Sequence, residues 1–127
     1  MKRPPHLDII VIEDDPDLRE PLCELLCSWG HRVRSAATGA AALALLAEGA
    51  VAVPAVALID IGLPDMTGYA LACEIRLRCA SPPWLIALTG FTDLDDDPRA
   101  RAAGFDLHLR KPPDLAHLRE VLAGLGT

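Results

Sequence analysis

The chain has 127 residues and a formal net charge of -6, from twelve Lys plus Arg against eighteen Asp plus Glu. That length suits one domain and leaves little room for a second, and a hydrophobic fraction of 51% excludes a disordered chain. The acidic balance excludes a non-specific nucleic-acid binder, because phosphate recognition needs a basic face.

Residues 7–12 (LDIIVI) form a short β-branched run that reads as a buried strand. Glu13, Asp14 and Asp15 follow at once. Asp15-Pro16 supplies an N-cap with proline at the first helical position. Leu18, Leu22, Leu25, Leu26 and Trp29 then keep helical spacing up to Gly30. Pro21 removes a backbone donor within that helix, which predicts a kink or an irregular first turn. Residues 31–35 read as a weak, polar strand. An alanine- and leucine-rich helix starts at Thr38 and stops near Gly49. Residues 55–59 are a second continuous apolar strand, ending on Asp60, and residues 62–68 (GLPDMTG) are a loop. Residues 69–79 read as a helix with Leu71, Ile75 and Cys79 on its inward side. Pro82-Pro83 breaks the chain before a third apolar strand at 84–88, which ends at Thr89-Gly90. Asp95 to Asp97 cap a helix with Pro98 in its first turn, stopped by Gly104. A short strand at 107–109 leads to Arg110-Lys111-Pro112-Pro113, and Asp114 caps a last helix ending near Gly124.

Five strands alternate with five helices through short loops. Continuous apolar strands indicate a parallel sheet covered on both faces, so residues 1–127 read as a single α/β domain with its core in 7–124. The apolar stretch 40–59 is long enough to span a bilayer. Glu48-Gly49 and Pro54 in its middle make it a helix end followed by a buried strand. The start of the chain fails as a signal peptide because its apolar stretch is short and runs into acids. The expectation is a cytoplasmic protein with no membrane partner. Cys23, Cys27, Cys73 and Cys79 form no CxxC pair and read as small buried hydrophobes of a reducing compartment. His6, His31 and His117 read as surface residues.

In an open parallel sheet, ligands sit beyond the carboxyl ends of the strands. Here those ends carry Glu13-Asp14, Asp60, Thr89 and Arg110-Lys111. If the first and third strands are neighbours, three carboxylates converge in one crevice. Clustered carboxylates raise one another's pKa, and a hard divalent cation resolves the conflict, with oxygen ligands favouring Mg²⁺. Lys111 adds a positive charge and Thr89 a hydroxyl. A carboxylate held there is a plausible nucleophile for phosphoryl transfer. Asp15 and Asp17 read as helix-capping or solvated acids. Lysine is otherwise scarce: the chain has only Lys2 and Lys111, and Lys111 offers the compact ammonium a phosphoryl site can use.

The segments IIVIEDDPDLRE, VALIDIGLPDMTG, LIALTGF and LHLRKPPD, in this order, resemble the receiver domain of two-component response regulators over residues 7–124. The pieces LTGF and GFDLHLRKP are similar to receivers attached to hybrid histidine kinases. The resemblance implies a flavodoxin-like doubly wound (βα)5 sandwich of strand order 2-1-3-4-5. It implies Asp60 as phosphoacceptor and Mg²⁺ as cofactor, held by Asp14, Asp60, the Gly62 carbonyl and, through water, Glu13. It further implies Thr89 and Lys111 at the phosphoryl group, and a cis Lys111-Pro112 bond. The phosphoryl donor would be a histidine kinase or histidine phosphotransfer protein. The output surface would be the fourth helix, fifth strand and fifth helix, acting on a downstream protein as a monomer or weak homodimer.

Three positions depart from the commonest pattern. His108 takes the place of the Tyr or Phe that usually acts as a rotameric switch beside Thr89, Pro113 replaces a common Phe, and Glu13 stands for an Asp. Gly62 and Phe91 occupy positions that tune phosphoryl lifetime, and neither side chain can hold an attacking water, so accelerated hydrolysis is not expected. Whether the receiver stands alone or forms part of a hybrid kinase stays open. Two other classes compete. A haloacid dehalogenase-type phosphatase shares the aspartyl-phosphate chemistry, but would carry a DxD motif after its first strand and a cap domain. A pseudo-receiver would lack the complete acid, Asp, Thr and Lys set.

Overall fold

The computed structural model describes residues 6–47, 54–90 and 102–125. Its strands are β1 (Asp8–Ile12), β2 (Arg32–Ala36), β3 (Val56–Asp60), β4 (Trp84–Thr89) and β5 (Leu107–Arg110). Among the described residues, the helices α1 (Pro16–Ser28), α2 (Gly39–Ala47) and α3 (Gly68–Arg78) lie between them, and a C-terminal helix spans Leu115–Leu125. The strands form one sheet of order β2-β1-β3-β4-β5, and every pairing is parallel. This is the doubly wound, flavodoxin-like arrangement expected above.

The reason lies in the strand side chains. Successive residues of a strand point to opposite faces, and here both faces are covered. Ile10, Ile12, Ala57 and Ile59 pack with Leu71, Ala72 and Ile75 of α3 and Ala42 of α2. Ile9, Val11, Leu58, Ile86 and Leu88 pack with Leu22 and Leu26 of α1 and Leu118 and Leu122 of the C-terminal helix. A strand buried on both sides cannot alternate apolar with polar, which is why β1, β3 and β4 read as continuous apolar runs. Removing the Leu26 side chain, which is wholly buried, would cost about 2–5 kcal/mol.

The helix ends follow their expected chemistry. Asp15 caps α1 by accepting from the Asp17 amide at 2.9 Å, and Gly30 leaves it at φ 95°, a conformation natural to glycine. The α1 helix runs on through Pro21 without interruption. Asp114 Oδ1 accepts from the His117 amide at 3.1 Å at the start of the C-terminal helix. The helix predicted from Asp95 lies outside the described residues except at its end. Residues 102–103 are helical, and Gly104 closes the turn at φ 88°. Within the stretch 40–59, the described residues are the helix α2 and the strand β3, and among the described residues no helix is long and apolar enough to cross a membrane.

The cysteines correct the reading of buried hydrophobes. Cys27 and Cys73 are exposed, and Cys23 and Cys79 are half-buried. The inward positions of α1 and α3 belong to Leu22, Leu26, Leu71, Ala72 and Ile75. The neighbours Cys27 and Cys73 are one residue further round their helices and turn outward. Cys79 ends up as the C-cap of α3. His31 is also no bystander: it is half-buried and its Nδ1 accepts from the Leu7 amide at 3.0 Å.

Candidate functional site

Strand order brings the site together. Ile12 pairs with Ile59, so the next residues along, Glu13 and Asp60, leave the sheet side by side. Thr89 ends β4 and pairs with Arg110 of β5, and the Lys111 amide donates to the Thr89 carbonyl at 2.8 Å. The Lys111–Pro112 peptide is cis. From this position Lys111 reaches across β4: its Nζ lies 2.8 Å from Asp60 Oδ1 and 2.6 Å from Glu13 Oε1. The contact with Glu13 is a close ion pair. Asp14 completes the group from the exposed rim, and one carboxylate oxygen from each of Glu13, Asp14 and Asp60 lies within 4.8 Å of the others.

This is a buried charge cluster at the end of the apolar central strands β1, β3 and β4. Glu13, Asp60 and Thr89 are the buried polar side chains among the described residues, at 0%, 4% and 3% exposure. Burial pushes the Glu13 carboxyl up to about 6, against the pull of the Lys111 ammonium and the Asp15 amide, while nearby Asp60 adds to the rise. Burial would raise Asp60 too, but the Lys111 ammonium and the Gly62 amide outweigh it and hold Asp60 below its ordinary value. Lys111 feels the same balance from the other side. Burial disfavours its charge, yet the two carboxylates win and raise its pKa. Asp60 is therefore kept ionised, and Glu13 takes up a proton more readily than Asp60 does.

Three carboxylates face a single ammonium, all presenting hard oxygen donors. That donor set fits a divalent cation such as Mg²⁺, with one carboxylate oxygen offered by each of Glu13, Asp14 and Asp60.

The surrounding backbone is held tightly. The Gly62 amide donates to Asp60 Oδ1 at 3.0 Å. Gly68 is required at the start of α3, because a Cβ there would lie 2.7 Å from the Asp60 carbonyl oxygen and 2.8 Å from Ile61 Cα. Arg19, which the sequence reading did not single out, donates from its guanidinium to the Glu13 carbonyl at 2.9 Å and the Asp14 carbonyl at 3.3 Å. It braces the acidic loop from one turn along α1. Its signal was present as an arginine just inside the helix that follows the acids. His108 lies in the middle of β5, half-buried, with its ring centroid 6.2 Å from that of Phe105 and its Nε2 buried without a hydrogen-bond partner. Phe91, Asp93 and Asp95 to Asp97 lie outside the described residues.

Residues 9–123 match the family model described as the response regulator receiver domain. The chain belongs to this family. Among its relatives, the transcriptional regulatory protein KdpE of Mycobacterium tuberculosis is 36% identical over 104 residues, covering 82% of this chain and 44% of that protein. The sensor histidine kinase RcsC of Salmonella typhi is 31% identical over 115 residues, covering 91% of this chain and 12% of that protein. The receiver thus spans less than half the length of these two relatives. A solved receiver domain from Methylobacillus flagellatus, described as CheY-like, superimposes with a TM-score of 0.79 at 29% identity, covering 94% of this chain and 98% of that one. The domain is accordingly a receiver of two-component signalling, of the kind found both in regulators and in sensor kinases.

Proposed function

We propose that residues 7–124 form a single, cytoplasmic phosphoacceptor core in which Asp60 takes a phosphoryl group from a phosphohistidine on a histidine kinase or histidine phosphotransfer protein. The observation that carries this reading is Lys111 Nζ bridging Asp60 and Glu13 across the carboxyl edge of the sheet. The relative named as a sensor histidine kinase supports the donor class.

In the transfer, an Asp60 carboxylate oxygen forms a bond to phosphorus while the phosphorus–nitrogen bond of the donor breaks. The bonding pair stays on the imidazole, which takes a proton from solvent. Bound at Asp14, Asp60 and the Gly62 carbonyl, with Glu13 reached through water, Mg²⁺ would supply positive charge to the transferring oxygens. Asp60 is suited to attack because Lys111 and the Gly62 amide keep it ionised. Lys111 offsets the growing negative charge, and Thr89 offers a hydroxyl at the same edge. The phosphoryl group then adds charge beside Thr89 and Lys111 and biases their arrangement. Thr89 and His108 are the switch residues in this reading, and the output is a changed protein-binding surface around β5 and the C-terminal helix, on a monomer or weak homodimer. The part played is that of a signalling phosphoacceptor, limited to its own phosphorylation and dephosphorylation.

The test is incubation with acetyl phosphate and Mg²⁺. The wild-type protein gains a phosphoryl group that Asp60→Asn does not, and chelation of the metal prevents the gain. Equal labelling of Asp60→Asn, or continuous turnover of phosphate esters, would refute the proposal.

A further inference from the structure

The loop between Asp60 and α3 carries Gly62, and it is tied to a part of the chain that the site does not use. Asp65 Oδ1 accepts from the Gly39 amide and Asp65 Oδ2 from the Ala40 amide, each at 2.9 Å. These two amides open α2, where no intrahelical carbonyl is available to them. The next amide, Ala41, donates to Thr38 Oγ1 at 3.0 Å, and Ala42 donates to the Thr38 carbonyl at 3.1 Å. The first turn of α2 is thus fully capped, half of it by a carboxylate 25 and 26 residues distant in sequence. The α2 first turn has no acidic residue of its own, so Asp65 is also the group that complements its dipole. Those two amides hold the Asp65 carboxyl below its ordinary value although the side chain is solvated.

The neighbouring residues extend the clamp. Met66 lies over Gly39 so closely that a Cβ on Gly39 would sit 2.5 Å from Met66 Sδ. Thr67 caps α3 by accepting from the Ala70 amide at 3.1 Å, and the Gly68 amide donates to the Ile61 carbonyl at 2.8 Å. The loop is therefore fixed at its far end by α3, at its near end by Asp60 Oδ1 on the Gly62 amide, and in its middle by the buried Leu63 side chain, by Met66 against Gly39 and by the two hydrogen bonds of Asp65 to α2.

We propose that Asp65 is a positioning residue for metal binding: by bolting the loop to the first turn of α2, it sets where the Gly62 carbonyl stands relative to Asp60 and Asp14. This rests on the reading of Gly62 as a metal ligand given above. Asp65 touches neither metal nor phosphoryl group in this account. It narrows the loop to the one arrangement in which the carbonyl is available, and a loop that samples others binds the cation more weakly by the fraction of time spent elsewhere.

The experiment measures Mg²⁺ affinity by calorimetry in unphosphorylated wild type, Asp65→Ala, Asp65→Asn and Thr38→Ala. Asp65→Ala is expected to weaken Mg²⁺ binding about three- to tenfold. Asp65→Asn, which keeps one acceptor oxygen, should fall between it and wild type. Thr38→Ala removes a cap from the same helix end without touching the loop, so it should lower the melting temperature while leaving Mg²⁺ affinity at the wild-type value. In acetyl phosphate labelling, Asp65→Ala should need more Mg²⁺ for half-maximal rate yet approach the wild-type rate at saturation. An unchanged Mg²⁺ affinity in Asp65→Ala, or an equal loss in Thr38→Ala, would overturn the proposal while leaving the phosphoacceptor reading intact. Failure of the wild type itself to bind Mg²⁺ would overturn both, and is told apart by that first arm.

Discussion

The two ends of the sheet treat their polar side chains in opposite ways. At the amino edge, His31 and Asp106 answer backbone groups. His31 Nδ1 accepts from the Leu7 amide, and Asp106 Oδ2 accepts from the Leu85 amide at 2.8 Å, closing the approach to β4 and β5. Asp8 and Arg32, at 4.0 Å, add an exposed ion pair of little energetic weight. At the carboxyl edge the side chains meet one another instead: Lys111 touches Glu13 and Asp60, and Asp14 stands within reach. The amino edge is satisfied within the chain. The carboxyl edge keeps an excess of like charge in a buried place, and an excess of that kind is resolved by binding something. The difference separates polar groups that hold a fold from a cluster with the charge to bind a cation.

The sharpest way to break the comparison is to remove the cation at the carboxyl edge. Lys111→Met leaves Glu13 and Asp60 facing each other. Breaking a fully buried pair costs about 3–5 kcal/mol. The Lys111 side chain is 24% exposed, so the loss should fall toward or below the lower end of that range. Added Mg²⁺ should recover part of the melting temperature by replacing the lost positive charge. Indifference of this variant to Mg²⁺ would mean that the acids do not act together.

At the amino edge the expected effect is smaller and of another kind. Asp106→Ala leaves the Leu85 amide unpaired inside the sheet, which costs about 1–3 kcal/mol. Thermal melts should show that loss, and a Mg²⁺ titration should coincide with wild type. A shifted Mg²⁺ titration would blur the distinction between the edges.

Acidification should separate the edges by sign, with the smallest effects of the three. Burial raises Glu13 from 4.5 to about 6 in the folded protein. Its contribution is full below 4.5 and is lost as pH rises through about 6. Burial and the neighbouring His6 lower His31 from 6.5. Its contribution is present above 6.5 and is lost as pH falls through the lowered folded value. In metal-free melts, the advantage of wild type over Glu13→Gln should grow on acidification through about 6, and its advantage over His31→Leu should shrink. Parallel trends in the two variants would contradict the assignment of causes.

These edges also differ in how far the sequence discloses them. The runs LDIIVI and VALID declare buried parallel strands because both of their faces are covered. Once those strands are placed, the residues at their carboxyl ends converge by topology, so Glu13, Asp60, Thr89 and Lys111 can be assembled from strand ends alone. The amino edge has no such signal. His31, Asp106 and, near the site, Asp65 each accept from a backbone amide more than twenty residues away. A single acceptor at that separation leaves no periodicity and no spacing to read. The cysteines fail for a simpler reason. Residue type favours burial, but the helix face decides it, and Cys27 and Cys73 stand one position off the faces that α1 and α3 bury.

The most direct measurement is the position of the phosphoryl group itself. Protein labelled with acetyl phosphate and Mg²⁺ is reduced with borohydride, which converts an aspartyl phosphate to homoserine, and the peptides are sequenced by mass spectrometry. Homoserine should appear at residue 60 and at no other acid. Homoserine at Asp14, or none at any aspartate in a protein that binds Mg²⁺, would contradict the account.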